Sequence, residues 1–215
     1  MIIENVIPRP DIDRVLDVLS TLTWKPGFSR DEGYSQEIKR NQELRQSDDV
    51  RLKVVLDALQ KKIWSNTAFS IRAFPFKAAR LRLNRCADGG FYGPHADASI
   101  MNVPPIRSDL SMTLWLTEDY EGGELVVEGE RYKGKPGDII VYPSYSVHEV
   151  TPVTQGERIC AVMWIQSMIR DQQKRDLMTR FYEYGARLKE KESLSPDYIE
   201  ITSIYNNLLR LWAET

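Results

Sequence analysis

From about residue 71 to residue 168 the chain is a succession of short β-rich runs separated by turn signals, and no other feature constrains its fold as much. KAARLRLNRC is the first long run; SDLSMTLWLT, ELVVEGE, IIVYPS, SVHEV and ERICAVMWIQ follow, with DYEGG and YKGKPGD as turns between them. β-branched and aromatic residues bounded by Gly, Pro and Asp at this spacing predict an antiparallel sandwich or barrel. The flanks read differently. Ile2 to Ile7 is a short apolar strand, and Pro10 and Asp11 open a helix over IDRVLDVLSTL, with Ile12, Val15, Leu16 and Leu19 at helical spacing. Segment 24–46 mixes Gly, Pro and charge and reads as loop or irregular strand. Ser47 is expected to cap a second helix that puts Leu52, Val55, Leu56 and Leu59 on one face. Beyond residue 169, Leu177, Phe181, Tyr184 and Leu188 form a helical stripe, and Ser195, Pro196 and Asp197 open another amphipathic segment. The expectation is a single domain, mainly β with flanking helices. Residues 1–70 supply an N-terminal strand and support helices, 71–168 the β core, and 169–215 a helical C-terminal extension.

A chain of 215 residues with 42% hydrophobic and 28% charged side chains can bury a full core. Its net charge of −2, from 29 basic and 31 acidic residues, gives no broad pull toward nucleic acid or an anionic membrane. Arg72, Lys77, Arg80, Arg82 and Arg85 keep a nucleic-acid reading open locally. MIIENVIPRP lacks signal-peptide character, and no run approaches the roughly 20 apolar residues that cross a bilayer. Cys86 and Cys160 are too few for a disulfide framework, so a reducing, cytoplasmic setting is expected.

The chain has two histidines, His95 and His148, so any imidazole chemistry must use them. In GGFYGPHADAS, His95 and Asp97 are two residues apart, which in an extended strand puts both on one face. His148, in YPSYSVHEVTPV, is the remaining imidazole. A lone strand histidine is usually structural, and His-x-Asp alone is a weak signal. Two imidazoles and one carboxylate together make the facial triad of non-haem iron(II) oxygenases, which leaves coordination positions open. Arg158 lies ten residues after His148, in ERICAVMWIQ. A hairpin between the two runs would bring its planar fork near the metal, suited to a carboxylate. The alternative is a surface arginine on an edge strand.

The segments YGPHADAS, RSDLSMTLWL, DYEGGELVV, KPGDIIVYPSYSVHEVTPVTQGER and MWIQSMIRD resemble the prolyl-hydroxylase-like 2-oxoglutarate/iron(II) dioxygenases, above all the PKHD-type hydroxylases. The resemblance implies a double-stranded β-helix, or jelly roll, with helices packed on one sheet. It implies iron(II) on His95, Asp97 and His148, and the distal carboxylate of 2-oxoglutarate on Arg158. Thr113, Trp115, Leu125, Val150 and Trp164 would face the interior around the co-substrate; plain core packing is their other reading. The implied reaction decarboxylates 2-oxoglutarate to succinate and hydroxylates a substrate, with no catalytic side chain beyond the metal centre. A prolyl residue in a peptide or protein is the implied substrate, with ascorbate as an accessory ligand. A small molecule or free amino acid is the alternative substrate, and a non-catalytic cupin-like metal-binding module the alternative function.

One position departs from the family pattern. Relatives carry a tyrosine nine residues before the first metal histidine, where this chain has Cys86. That leaves Arg158 alone or joined by another hydroxyl, such as Tyr92 or Thr113. Arg82 and Asn84 share the side of Cys86 and, with Tyr92 and Tyr145 at the entrance, are candidates for substrate contact. ASIMNVPPIR suits either a lid over the pocket mouth or an ordinary connection. The amphipathic tail could join two copies as a homodimer.

Overall fold

The computed structural model describes residues 2–27, 38–102 and 105–214. Part of the predicted loop 24–46, and Val103 and Pro104 of ASIMNVPPIR, lie outside the described residues. The N-terminal third runs β1 (Ile2–Ile3), α1 (Arg9–Leu19), β2 (Lys25–Pro26), β3 (Lys39–Arg40), β4 (Gln42–Arg45), α2 (Val50–Ser65) and α3 (Thr67–Ala73). Next come β5 (Pro75–Ala78), β6 (Arg82–Ala87), β7 (Phe91–His95), β8 (Ile100–Asn102), β9 (Pro105–Arg107) and β10 (Leu110–Trp115). The core continues with β11 (Tyr120–Gly122), β12 (Leu125–Val127), β13 (Glu130–Tyr132), β14 (Ile139–Pro143), β15 (His148–Val150) and β16 (Val153–Ser167). Two helices, α4 (Gln172–Lys191) and α5 (Pro196–Trp212), end the chain.

The strands form two facing antiparallel sheets, the jelly-roll core. The larger has the order β1-β14-β10-β16-β6-β4-β2, with β5 and β11 also paired to β16; the smaller is β13-β12-β15-β7-β3. The larger sheet is buried on both faces, so its strands carry two alternating sets of residues. Leu83, Leu110, Met112, Leu114, Ala161, Met163 and Ile165 face the helices and join Ile12, Leu52, Leu56 and Ile63 in one core. The other set includes Trp115, Ile140, Tyr142 and Cys160, which meet Leu125 and Val127 of the smaller sheet. This second layer lies between the two sheets. Sheet and helices are therefore tied by the first core, leaving the second free for chemistry.

Local differences from the sequence reading have local causes. The β1 strand ends at Ile3 because Val6 and Ile7 turn to donate to the Gly137 carbonyl. Asp49, not Ser47, caps α2 by accepting from the Arg51 N–H, and its charge also suits a helix N-terminus. KAARLRLNRC divides into β5 and β6. Ala78 pairs with Ile165 and Arg82 with Val162, so one extra residue bulges from this side of the ladder. DYEGG is not only a turn: Tyr120 to Gly122 pair with β16. There Gly122 has φ +69°, and a Cβ would stand 2.1 Å from the Pro152 carbonyl oxygen, so only glycine fits. ASIMNVPPIR contributes a hairpin of β8 and β9, anchored by the Arg107–Asp109 ion pair at 2.7 Å.

The C-terminal helices pack on each other and, through Met178, on Phe74 and Ile169. α5 has no fully buried residue, and Ile199 and Leu211 are exposed. Among the described residues no helix is long and apolar enough to cross a membrane. Of the five basic side chains of 72–85, Arg72 pairs with Glu183, Arg85 with Glu157, and Arg82 lies over Trp164.

Candidate metal centre and co-substrate pocket

His95 ends β7 and His148 begins β15, and the two are direct cross-strand partners. Asp97 lies just beyond the strand, so the same-face expectation is met by another device. Its backbone N–H donates to the Ser144 carbonyl (3.1 Å), and its carboxylate accepts from the Ser111 hydroxyl. One ligand atom from each of His95, Asp97 and His148 lies within 4.8 Å of the others. The His95 Nε2 is 4.0 Å from Asp97 Oδ1, and the His148 Nε2 is 3.7 Å from Asp97 Oδ2.

Both imidazoles are oriented in the same way. Nδ1 of His95 lies 2.8 Å from the Gly93 carbonyl oxygen, and Nδ1 of His148 lies 3.0 Å from that of Ser146. A carbonyl only accepts, so Nδ1 carries the proton and Nε2 presents its lone pair to the shared space. Burial foremost holds His95 below its ordinary imidazole value, which favours the neutral, ligating form. Ser111 in turn bonds Ser144 at 2.8 Å, so the carboxylate is braced from two strands. Tyr92 stacks on His95 with centroids 3.7 Å apart, and the Tyr142 ring meets His148 edge-on at 5.0 Å. Two imidazoles and a carboxylate with fixed tautomers fit a divalent metal that keeps open positions.

Arg158 reaches the pocket by a different path from the one the sequence suggests. β15 and β16 make no hairpin; they belong to opposite sheets, joined through Thr151 and Pro152. Arg158 therefore enters from the wall facing the histidines. It is 2% exposed and forms no ion pair among the described residues. An uncompensated buried cation costs several kcal/mol. The Tyr120 hydroxyl stands beside the Arg158 guanidinium and the Trp115 indole, and none of Arg158 Nε, Trp115 Nε1 and the Tyr120 hydroxyl makes a well-aligned hydrogen bond among the described residues. Burial pushes the Tyr120 phenol up to about 12 and the Cys160 thiol up to about 11, so neither supplies a negative charge near neutrality. This cluster of donors fits an anionic ligand end.

The remaining predicted residues divide into three groups. Trp115 and Leu125 line the space between the sheets, with Val150 packed beside them; Thr113 is buried near the Tyr142 phenol. Trp164 lies opposite Ser111 in the ladder, toward the metal end. Arg82, Asn84 and Cys86 follow one another on β6 opposite Val162, Cys160 and Arg158, on the side away from the helix core. Tyr145 is 70% exposed and lines an outer cleft of about 570 Å³ with Arg170, Lys174 and Trp212. Ser144, Tyr145 and Ser146 form the turn between β14 and β15, in which the two serines are buried and Tyr145 is exposed. Tyr120, Tyr142, Ser111 and Ser144 were not singled out by sequence reasoning. Polar residues at inward positions of apolar strands were the available signal for the serines.

Comparison with known proteins agrees with this geometry. The 2OG-Fe(II) oxygenase superfamily profile matches residues 81–166, and the PKHD-type hydroxylase C-terminal domain profile matches residues 185–214. A PKHD-type hydroxylase of Nitrobacter winogradskyi is 34% identical over 224 residues, covering 100% of this chain and 99% of the relative. A Pseudomonas putida prolyl-4-hydroxylase structure shares the fold, with TM-score 0.54, 17% identity, and coverage of 77% of this chain and 91% of that one. HygX from Streptomyces hygroscopicus, solved with nickel and 2-oxoglutarate bound, shares it at TM-score 0.51, 10% identity, and 79% and 83% coverage. The chain belongs to the PKHD-type hydroxylases of the 2OG-Fe(II) oxygenase superfamily, a membership that implies iron(II) and 2-oxoglutarate.

Proposed function

We propose that this hydroxylase acts on a prolyl residue of a peptide or protein, at iron(II) held by His95, Asp97 and His148, with 2-oxoglutarate anchored by Arg158. The observation that carries the reading is a buried Arg158 on the sheet opposite the His–Asp–His cluster, without an ion pair among the described residues, with the buried Tyr142 phenol in the field of both Asp97 and Arg158. A dicarboxylate that chelates a metal at one end needs a cation at the other. Bound iron(II), with 2-oxoglutarate and oxygen, supplies the hydroxylating power and leaves succinate and carbon dioxide.

The chain's own residues bind, orient and shield. The Gly93 and Ser146 carbonyls hold the two imidazoles by Nδ1–H, and Ser111 holds Asp97. Arg158 fixes the co-substrate's distal carboxylate, bidentately where its fork allows. Trp115, Leu125, Val150 and Tyr142 keep water from the space between. No side chain has to move a proton. Arg82, Asn84 and Tyr92 are the residues we assign to substrate contact. The prolyl assignment is supported by the prolyl-4-hydroxylase of the same fold.

A screen for succinate release over proline-containing peptides and free amino acids tests the reading, with mass spectrometry of the substrate as readout. Gain of one oxygen atom at a peptidyl proline is the expected result. Oxygen gain only on a free amino acid or another small molecule would reassign the substrate and keep the chemistry. Succinate release that is absent with iron(II) and every substrate would overturn the hydroxylase reading.

A further inference from the structure

We infer that the outer cleft between the β14–β15 turn and the C-terminal helices docks an acidic segment of the polypeptide substrate. The inference rests on the peptide-substrate reading above and adds a second place of contact, outside the space between the sheets.

The cleft has a volume of about 570 Å³. Tyr145 lines it from the turn, residues 169–174 from the start of α4, and Trp212 and Glu214 from the end of the chain. The Glu214 N–H donates to the Met168 carbonyl at 2.8 Å, which draws the chain beyond α5 back to the end of β16.

Its charges are unevenly matched. Arg170 and Lys174 are exposed, and neither forms an ion pair among the described residues; Lys174 lies over the Trp212 ring, 5.4 Å from its centroid. Behind them Arg175 is 1% exposed. Its guanidinium donates to the Ile169 and Arg170 carbonyls, at 2.6 and 2.8 Å, and to the Gln172 side chain. Its Nε has no hydrogen-bond partner among the described residues, and a buried cation without a counter-ion is costly. The carboxylates nearby are occupied. Asp109 is held by Arg107 and the Ser167 N–H, Glu214 by Arg107, and Asp171 accepts from the Lys174 N–H that it caps. Residues 172–174 are the first turn of the 20-residue α4, so the positive end of the helix adds to the same side. An anion entering here meets cations that no carboxylate already claims.

The form of the cleft selects the class of ligand. A small anion would fill little of a space this size. A nucleic-acid backbone carries a charge at every step and would meet Asp171 and Glu214 as well as the cations. A peptide can set carboxylates at Arg170 and Lys174 and lay apolar groups on Tyr145 and Trp212, aromatics of the kind that anchor protein interfaces.

The cleft also adjoins the metal end. On either side of Tyr145, Ser144 holds the Ser111 hydroxyl and the Asp97 N–H, and the Ser146 carbonyl holds Nδ1 of His148. A segment docked on Tyr145 is therefore one residue away from the supports of two metal ligands.

The test uses the full chain loaded with manganese(II) under anaerobic conditions. Fluorescence anisotropy follows a labelled peptide of alternating glutamate and leucine around one proline, against the same peptide with glutamines in place of glutamates. The glutamate peptide is expected to bind about three- to thirtyfold more tightly, as two exposed ion pairs provide. The difference should vanish when Arg170→Glu and Lys174→Glu are combined, with 2-oxoglutarate affinity unchanged as the sign of an intact fold. Tyr145→Ala should weaken both peptides alike. Equal binding of the two peptides by the parent would overturn the inference. So would a preference that survives charge reversal, unchanged binding in Tyr145→Ala, or tighter binding of single-stranded DNA of the same charge. Aerobic turnover with iron(II), read by mass spectrometry, separates this inference from the prolyl reading. Charge-dependent binding without oxygen gain at the proline supports the cleft and sinks the prolyl assignment. Oxygen gain at the proline with the same KM for both peptides supports the prolyl assignment and sinks the cleft.

Discussion

The two ends of the pocket satisfy their polar atoms in opposite ways. At the metal end, atoms not aimed at the shared space have protein partners: both Nδ1 atoms meet carbonyls, and Asp97 meets Ser111 and Ser144. That end is built before any ion arrives. At the distal end, Arg158 is a buried cation without a carboxylate partner among the described residues, and its Nε, the Trp115 Nε1 and the Tyr120 hydroxyl make no well-aligned hydrogen bond there. The contrast teaches that the protein orients a metal by itself but completes its second site only with an anion. It also assigns the cost: the distal end carries unfavourable burial in the free protein, which a ligand relieves.

The largest expected effect breaks the preformed end. Asp97→Ala should abolish stoichiometric manganese(II) binding in a metal titration and reduce succinate release to background. Retained binding would mean that the cluster is not the metal site. Arg158→Met should separate the ends. Manganese binding stays, while 2-oxoglutarate affinity falls by about 2–5 kcal/mol, or roughly 30-fold to a few thousand-fold. The same variant should melt no lower than the parent without ligand, because an apolar side chain replaces an unmatched buried charge. A clear loss of melting temperature would show that Arg158 is structurally paired after all.

Leu114→Ala perturbs the helix-facing core instead. It should cost about 2–5 kcal/mol in denaturant unfolding, with both ligand affinities retained by the folded protein. Loss of 2-oxoglutarate binding there would deny the division into two layers. The smallest effect concerns bracing. Ser111→Ala should lower metal affinity by about 10–100-fold, the usual range for a residue behind a ligand, leaving 2-oxoglutarate binding to the metal-loaded protein intact.

Much of this was legible in the sequence because the chemistry had few carriers. Two histidines, one aspartate two residues from the first, and one arginine ten residues after the second left little choice. The β alternation likewise separated Leu83 from Asn84 and Met163 from Trp164. What stayed hidden was long-range pairing. Nothing local to residues 148–158 says that β15 and β16 join opposite sheets, so the sequence suggests a hairpin where the chain crosses over. Asp97 lies past a strand end because Ser144, 47 residues away, captures its N–H. Tyr120 sits in a segment whose two glycines read as a turn, yet those glycines let it pair with β16 and approach Arg158. Tyr145 is exposed in the turn between two buried serines, a direction that an isolated aromatic does not announce in the sequence.

The most direct test of the central claim is an anaerobic visible spectrum of the protein with iron(II), before and after 2-oxoglutarate is added. Chelation by a 2-oxoacid at the His95–Asp97–His148 site should produce a weak charge-transfer band that saturates. In Arg158→Met the band should need far more 2-oxoglutarate. A flat spectrum from folded, iron-loaded protein would contradict the account.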